Sequence, residues 1–170
     1  MLHKGKIVHQ IIICAASLAD VTAILALQKL AYQSEARLYD DFSIPPLLQT
    51  LEELQQEFTH KTVLKATRGP IIIGSVRGFQ QNGTCFLERL IVHPDHQSRG
   101  LGSALVRRLE GAFPEARRAE LFTGHKSERN IRLYERLGYR IFRQEPVTAN
   151  LSFVFMEKNL GTFEPPRGEL

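Results

Sequence analysis

Between positions 62 and 92 the chain carries three strand signals in close order, over residues 62–67, 71–79 and 84–92. The breaks between them are Arg68-Gly69-Pro70 and Gln81-Asn82-Gly83. An Asn-Gly pair between alternating runs supplies the two positive-φ positions of a tight hairpin turn, so the strands it joins pair antiparallel. The centre of the chain is therefore an antiparallel meander, and the other elements must pack around it.

Upstream, residues 7–15 are rich in β-branched side chains and read as a strand. Ser17 with Asp20 forms a variant capping box that opens a helix from Leu18 to about Gln33, with Leu18, Val21, Ile24, Leu25 and Gln28 along one side. Residues 34–46 break the period with charges, aromatics and Pro45-Pro46, and are expected to be a long loop of the kind that often carries function. Thr50 with Glu53 is a second capping box, opening a helix to about His60. Downstream, Leu101, Leu105 and Leu109 mark a helix with Arg107 and Arg108 turned outward. A strand at 119–123, a helix at 127–137 closed by Gly138, and strands at 139–143 and 151–157 complete the chain. This order describes a mixed α/β sandwich with one mostly antiparallel sheet and helices on both faces.

The 170 residues hold 22 Lys and Arg against 18 Asp and Glu, a net charge of +4. The surplus is uneven: residues 1–87 sum to +1, 88–143 to +5 and 144–170 to −2. An anionic ligand is therefore sought in the middle segment. The chain has no Lys/Arg run and no aromatic interleaving of the kind that stacks bases, so nucleic acid is not the expected partner. No stretch reaches the roughly 18 apolar residues of a membrane span. Lys4 and Lys6 ahead of an apolar run imitate a signal peptide, but His9 and Gln10 interrupt it and a helix pattern follows. A soluble, cytoplasmic protein is expected. Cys14 and Cys85 fit neither a disulfide framework nor a metal pair, and are expected to be buried, reduced thiols. His93, His96 and His125 follow no ligand spacing, and no metal is expected.

The chemistry concentrates in Leu90-Ile91-Val92-His93-Pro94-Asp95-His96-Gln97-Ser98-Arg99-Gly100-Leu101-Gly102-Ser103. A strand ends at Val92, a polar loop follows, and a helix opens at about Gly100. Glycines let backbone N–H groups approach a ligand, and a helix N-terminus gathers unpaired donors and partial positive charge. The same pattern also serves a plain strand-to-helix turn. A P-loop would need Gly-Lys-Ser/Thr, and a dinucleotide fingerprint would need a third Gly where Leu105 stands; neither fits.

The segment resembles the acyl-CoA-binding motif of the GNAT superfamily of N-acyltransferases, Arg/Gln-x-x-Gly-x-Gly/Ala behind a strand ending in Val-x-Pro. Here it stands as Gln97-Ser98-Arg99-Gly100-Leu101-Gly102 behind Val92-His93-Pro94. Further on, Asn130-Ile131-Arg132-Leu133-Tyr134-Glu135-Arg136-Leu137-Gly138-Tyr139 resembles the second signature of that superfamily, shorter between Asn130 and Tyr134 than in some members. The resemblance implies one acyltransferase domain over residues 1–160, α/β (α+β), with a mixed, mostly antiparallel sheet of seven strands, and a flexible tail at 161–170. It implies transfer of an acetyl group from acetyl-CoA to a primary amine by direct attack in a ternary complex, or, alternatively, a non-catalytic acyl-CoA-binding regulatory module. Leu90, Ile91 and Val92 would offer backbone groups to the pantetheine arm, where a bulge splays this strand from the next. Ser98, Arg99, Gly100, Leu101, Gly102 and Ser103 would present N–H groups to the pyrophosphate, and Asn130 would contact the cofactor. Gln97 stands where the family often has Arg, so one cation is missing. A small-molecule or peptide amine is the implied partner, with no membrane, and a homodimer is the family habit.

Amine acylation requires the amine to lose a proton and the departing thiolate to gain one. Tyr134, placed by the resemblance near the cofactor sulfur, suits the donor role because a phenol stays protonated at neutral pH; packing along Ile131, Tyr134 and Leu137 would equally explain it. Glu88 is the candidate base, since strict alternation groups it with Phe86, Leu90 and Val92 on an apolar face. An ion pair, an exposed position after a bulge, or a water chain in its place are the alternatives. Tyr32, Glu35 and Asp40 are the candidate acceptor-binding residues, because acidic groups in that loop would suit a cationic amine.

Overall fold

The computed structural model describes residues 10–161. The sheet contains β1 (Ile11–Ala15), β2 (Thr62–Arg68), β3 (Ile71–Gln81), β4 (Thr84–Val92), β5 (Arg118–Gly124), β6 (Arg140–Pro146) and β7 (Ser152–Asn159). Their spatial order is β1-β2-β3-β4-β5-β7-β6. Every neighbouring pair is antiparallel except β4 with β5. The β3–β4 hairpin turns at Asn82 and Gly83, with φ of 49° and 73°, as the Asn-Gly pair requires. Residues 7–9 of the first expected strand, and the expected tail beyond Gly161, lie outside the described residues.

The helices are α1 (Val21–Ala31), α2 (Gln33–Tyr39), α3 (Pro45–Leu48), α4 (Leu51–Glu57), α5 (Leu101–Gly111) and α6 (Glu128–Arg136). Both capping boxes form: Asp20 accepts from Ser17 N, and Thr50 and Glu53 exchange bonds at the start of α4. Gly138 ends the α6 turn at φ 93°. Two buried clusters hold the layers. Leu64, Val76, Leu87, Leu105, Leu109, Leu121, Tyr134 and Met156 join α5 and α6 to the sheet, while Val21, Ile24, Leu54 and Val63 join α1 and α4 to it.

Three local expectations need correction. The stretch expected to be a loop folds into α2, whose Ala36 and Tyr39 are buried one turn apart, and α3, which opens on Pro45, where a missing N–H costs nothing. Leu18 is 63% exposed because it sits in a 3-10 turn before α1, out of phase with the buried stripe, and Leu27 takes its place. Cys85 is fully buried, but Cys14 is only half-buried, because β1 is an edge strand.

The feature that positions the site is the join between β4 and β5. The two strands pair only from Thr84 to Phe86, against Arg118 to Glu120. Beyond Phe86, β4 runs on to Val92 without a partner on that side, so the sheet opens into a cleft. On its other edge, the pairing with β3 slips between Arg77↔Glu88 and Ser75↔Ile91, and Arg89 sits in the slip at φ 50°. This bulge turns the end of β4.

Candidate active site

The loop leaving β4 passes through a 3-10 turn (Pro94–His96) and enters α5 with two left-handed residues, Ser98 at φ 60° and Gly100 at φ 81°. Gly100 is the N-cap of α5 and offers no side chain, so the N–H groups of the first turn are free to meet an anion. A Cβ on Gly100 would touch nothing, and one on Gly102 would meet only Leu133, Leu90 and Val92 at 3.5–3.9 Å. The first turn of α5 therefore lies against the unpaired end of β4 and against α6. Gln97 is fixed by donating to the Val92 carbonyl at 3.1 Å and accepting from Arg129. The cation absent at position 97 is thus brought to the loop by α6. Arg99 lines a cavity of about 520 Å³ together with Arg68 and His96, so more positive charge surrounds the same loop. Leu90 and Val92 are half-buried and Ile91 is buried.

Tyr134, on the buried side of α6, packs edge-on against Tyr139 with ring centroids 5.9 Å apart. Burial pushes its phenol well above the usual range, and negative charge on nearby Tyr32 or Glu35 pushes it the same way. Tyr32, at the end of α1, is also raised by burial, with the Arg89 guanidinium opposing. Glu35 accepts from the Ser127 hydroxyl and, at 3.5 Å, from Asn130 Nδ2, which also reaches the Thr123 hydroxyl at 3.5 Å. A residue expected at the acceptor end and one expected at the cofactor end therefore meet directly. Asp40 is exposed at the left-handed C-cap of α2 and makes no side-chain hydrogen bond among the described residues.

Glu88 does not share a face with Leu90 and Val92. The Arg89 bulge breaks the alternation that grouped them, so Leu90 and Val92 turn toward Gly102 while Glu88 stays with Phe86 on the side of α1 and α4. There its carboxylate accepts from Lys61, which also pairs with Glu57 at 3.5 Å. Glu57 in turn holds the Arg77 guanidinium at 2.6 Å. Arg77 is 2% exposed and donates to Gln28 at 3.1 Å and Gln49 at 2.9 Å.

An unpaired β4 end, a glycine-capped helix beside it and a buried tyrosine on the adjoining α6 come together at this opening of the sheet. A model of the acetyltransferase (GNAT) family matches residues 26–139. The chain belongs to the GNAT acetyltransferase family. Among solved structures its GNAT fold is similar to the PaiA N-acetyltransferase from Thermoplasma acidophilum in complex with coenzyme A, at TM-score 0.74 and 16% identity over 88% of this chain and 99% of that one. It is also similar to YncA from Salmonella typhimurium with its cofactor acetyl-CoA, at TM-score 0.70 and 21% identity over 94% and 99%. A curated relative, the UPF0157 protein YqkA of Bacillus subtilis (strain 168), is 26% identical over 117 residues, 69% of this chain. The chain spans about a third of that relative's length, 34%.

Three side chains that shape this region of the GNAT domain escape sequence reading. Arg129 belongs to a run of charges on a solvated helix, and nothing local marks it as the partner of Gln97 across 32 positions. Arg89 is hidden because the bulge has no sequence signal. Tyr39 accepts a bond from Lys126 N at 2.7 Å and so fixes the turn before α6. The buried Gln28 was visible on the apolar side of α1, and an amide there is a usable sign of a buried polar partner. Among the described residues no group of three or more His, Cys, Asp or Glu is arranged to hold a metal, and no helix is long and apolar enough to cross a membrane.

Proposed function

We propose that this GNAT domain transfers an acetyl group from acetyl-CoA to a primary amine by direct attack in a ternary complex. The observation that carries the reading is the cleft between β4 and β5, with the free N–H groups of α5 at one end and Tyr134 at its side. Those N–H groups, with Arg99 and Arg129 beside them, suit a pyrophosphate, because backbone donors, helix dipole and guanidinium charge add at one point. The unpaired edge of Leu90, Ile91 and Val92 leaves backbone donors and acceptors for an extended amide chain such as a pantetheine arm.

Acetyl-CoA supplies a thioester whose carbon the amine attacks, with the thiolate leaving. Tyr134 donates a proton toward the departing sulfur. Burial raises its pKa, so the phenol is held protonated and available as a donor. Glu88 receives the amine's proton through water, its carboxylate held by Lys61 on the α1–α4 face of the cleft.

Calorimetric titration with acetyl-CoA, followed by thiol-release assays over a panel of amines, tests the reading. Binding in the micromolar range and amine-dependent thiol release are expected. No binding at millimolar acetyl-CoA would overturn it.

A further inference from the structure

Three carboxylates surround the cleft on its α1–α4 face, and all are engaged. Glu88 and Glu57 are held by Lys61 and Arg77, and Glu35 is spent on Ser127 and Asn130. Arg89 is the exception among the cations there. It projects from the β4 bulge with its guanidinium 5.9 Å from the Tyr32 ring centroid, and its Nε is buried with no hydrogen-bond partner. It makes no salt bridge among the described residues.

A buried guanidinium N–H without a hydrogen-bond partner is unfavourable, and the half-buried Arg89 also stands near the positive charge of Arg77. The backbone at Arg89 is also left-handed, a conformation a long side chain adopts only when the surroundings enforce it. Lys61 and Arg77 are matched by Glu57 and Glu88. The third carboxylate, Glu35, lies near Tyr32 and Tyr134 but is bonded to Ser127 and Asn130 and forms no salt bridge with Arg89.

We propose that Arg89, backed by Tyr32, is the binding site for an anionic group on the acceptor, so that the favoured amine carries a carboxylate, as an amino acid does. Arg presents a planar fork that matches a carboxylate in two parallel hydrogen bonds, and the Tyr32 ring beneath it fixes the plane of the fork. The ligand carboxylate supplies the salt-bridge partner that Arg89 lacks among the described residues, and the amine of the same molecule is held a short way from it, on the side of Tyr134. The proposal rests on the acetyltransferase reading and narrows its substrate class.

The test uses amines in sets that differ only in the carboxylate: an α-amino acid, its amide and its decarboxylated amine, over several side-chain types. Thiol release is followed with acetyl-CoA at saturation. The carboxylate member is expected to show a kcat/KM about 10- to 100-fold higher in the wild type. Arg89→Gln is expected to bring that ratio close to one while acetyl-CoA affinity is unchanged, and Arg89→Lys to keep part of it. The change of ratio on substitution is insensitive to the differing basicity of the amines. As a measurement that needs no variant, the N-acetylated amino acid is titrated into the CoA-loaded wild type beside its amide, and the acid is expected to bind about tenfold more tightly. Equal rates across a set, or a ratio that survives Arg89→Gln, would overturn the proposal while leaving the acetyltransferase reading intact. Failure to bind acetyl-CoA would remove both.

Discussion

Glu35 of α2 accepts a hydrogen bond from the hydroxyl of Ser127, the residue that opens α6. This bond crosses 92 positions of sequence and ties α2 to the helix that carries Tyr134. Glu35→Ala is expected to leave the Ser127 hydroxyl without its acceptor and Asn130 with only Thr123, costing about 1–2 kcal/mol, and to lower kcat about tenfold by loosening α6. Thermal melts and steady-state kinetics read the two effects separately. A lower melting temperature with an unchanged kcat would show that the bond braces the fold without positioning Tyr134.

Tyr134→Phe removes only the phenolic oxygen. Loss of a general acid is expected to lower kcat by about 100-fold, with acetyl-CoA affinity unchanged within twofold. Kinetics beside calorimetry decide the matter, and a kcat within threefold of the wild type would assign Tyr134 to packing alone.

The pH dependence follows from the same burial. Tyr134 is raised above the ordinary phenol range, so it stays protonated throughout a practical assay range and loses no activity by ionising. The value of kcat/KM is therefore expected to climb with pH as the free amine fraction grows, without a falling limb below about pH 10. A descending limb near pH 8–9 that disappears in Tyr134→Phe would contradict the assigned state.

Arg129 donates to Gln97 and so brings a cation to the loop before α5, where the proposed function puts the pyrophosphate. Arg129→Ala is expected to weaken acetyl-CoA binding about tenfold, to reduce its salt sensitivity, and to leave kcat at saturation unchanged. Calorimetry at two ionic strengths is the check, and an affinity equal to the wild type at low salt would remove Arg129 from the cofactor site.

Gly78 of β3 lies where α5 presses on the sheet. A Cβ there would overlap the Phe86 carbonyl oxygen and stand 3.0 Å from a Leu109 methyl. Gly78→Ala is expected to cost about 1–3 kcal/mol, because the overlap is with backbone at the last residue of β4 that pairs with β5 and no side chain can swing aside. Denaturant unfolding measures it.

What the sequence determined by itself is whatever depends on neighbours in the chain. Asn82-Gly83 specified the central hairpin, Ser17 with Asp20 and Thr50 with Glu53 specified two helix starts, and Gly100 with Gly102 marked the mouth of α5. Each works through dihedrals or hydrogen bonds spanning three or four residues, so the information is local. The family signatures were legible for the same reason. What only the tertiary structure decided is which distant charges meet and which are left alone. Strict alternation groups Glu88 with an apolar face, but one extra residue at Arg89 reverses the alternation and delivers it to Lys61. Glu35, a candidate acceptor residue by its charge and place in the chain, is bonded to α6, and the segment around it has the composition of a loop because its two buried residues, Ala36 and Tyr39, acquire their meaning only from the surface they cover. An ion pair or an orphaned guanidinium is a property of packing geometry, since Coulomb energy depends on distance and desolvation, and neither is written in the spacing of residues along the chain.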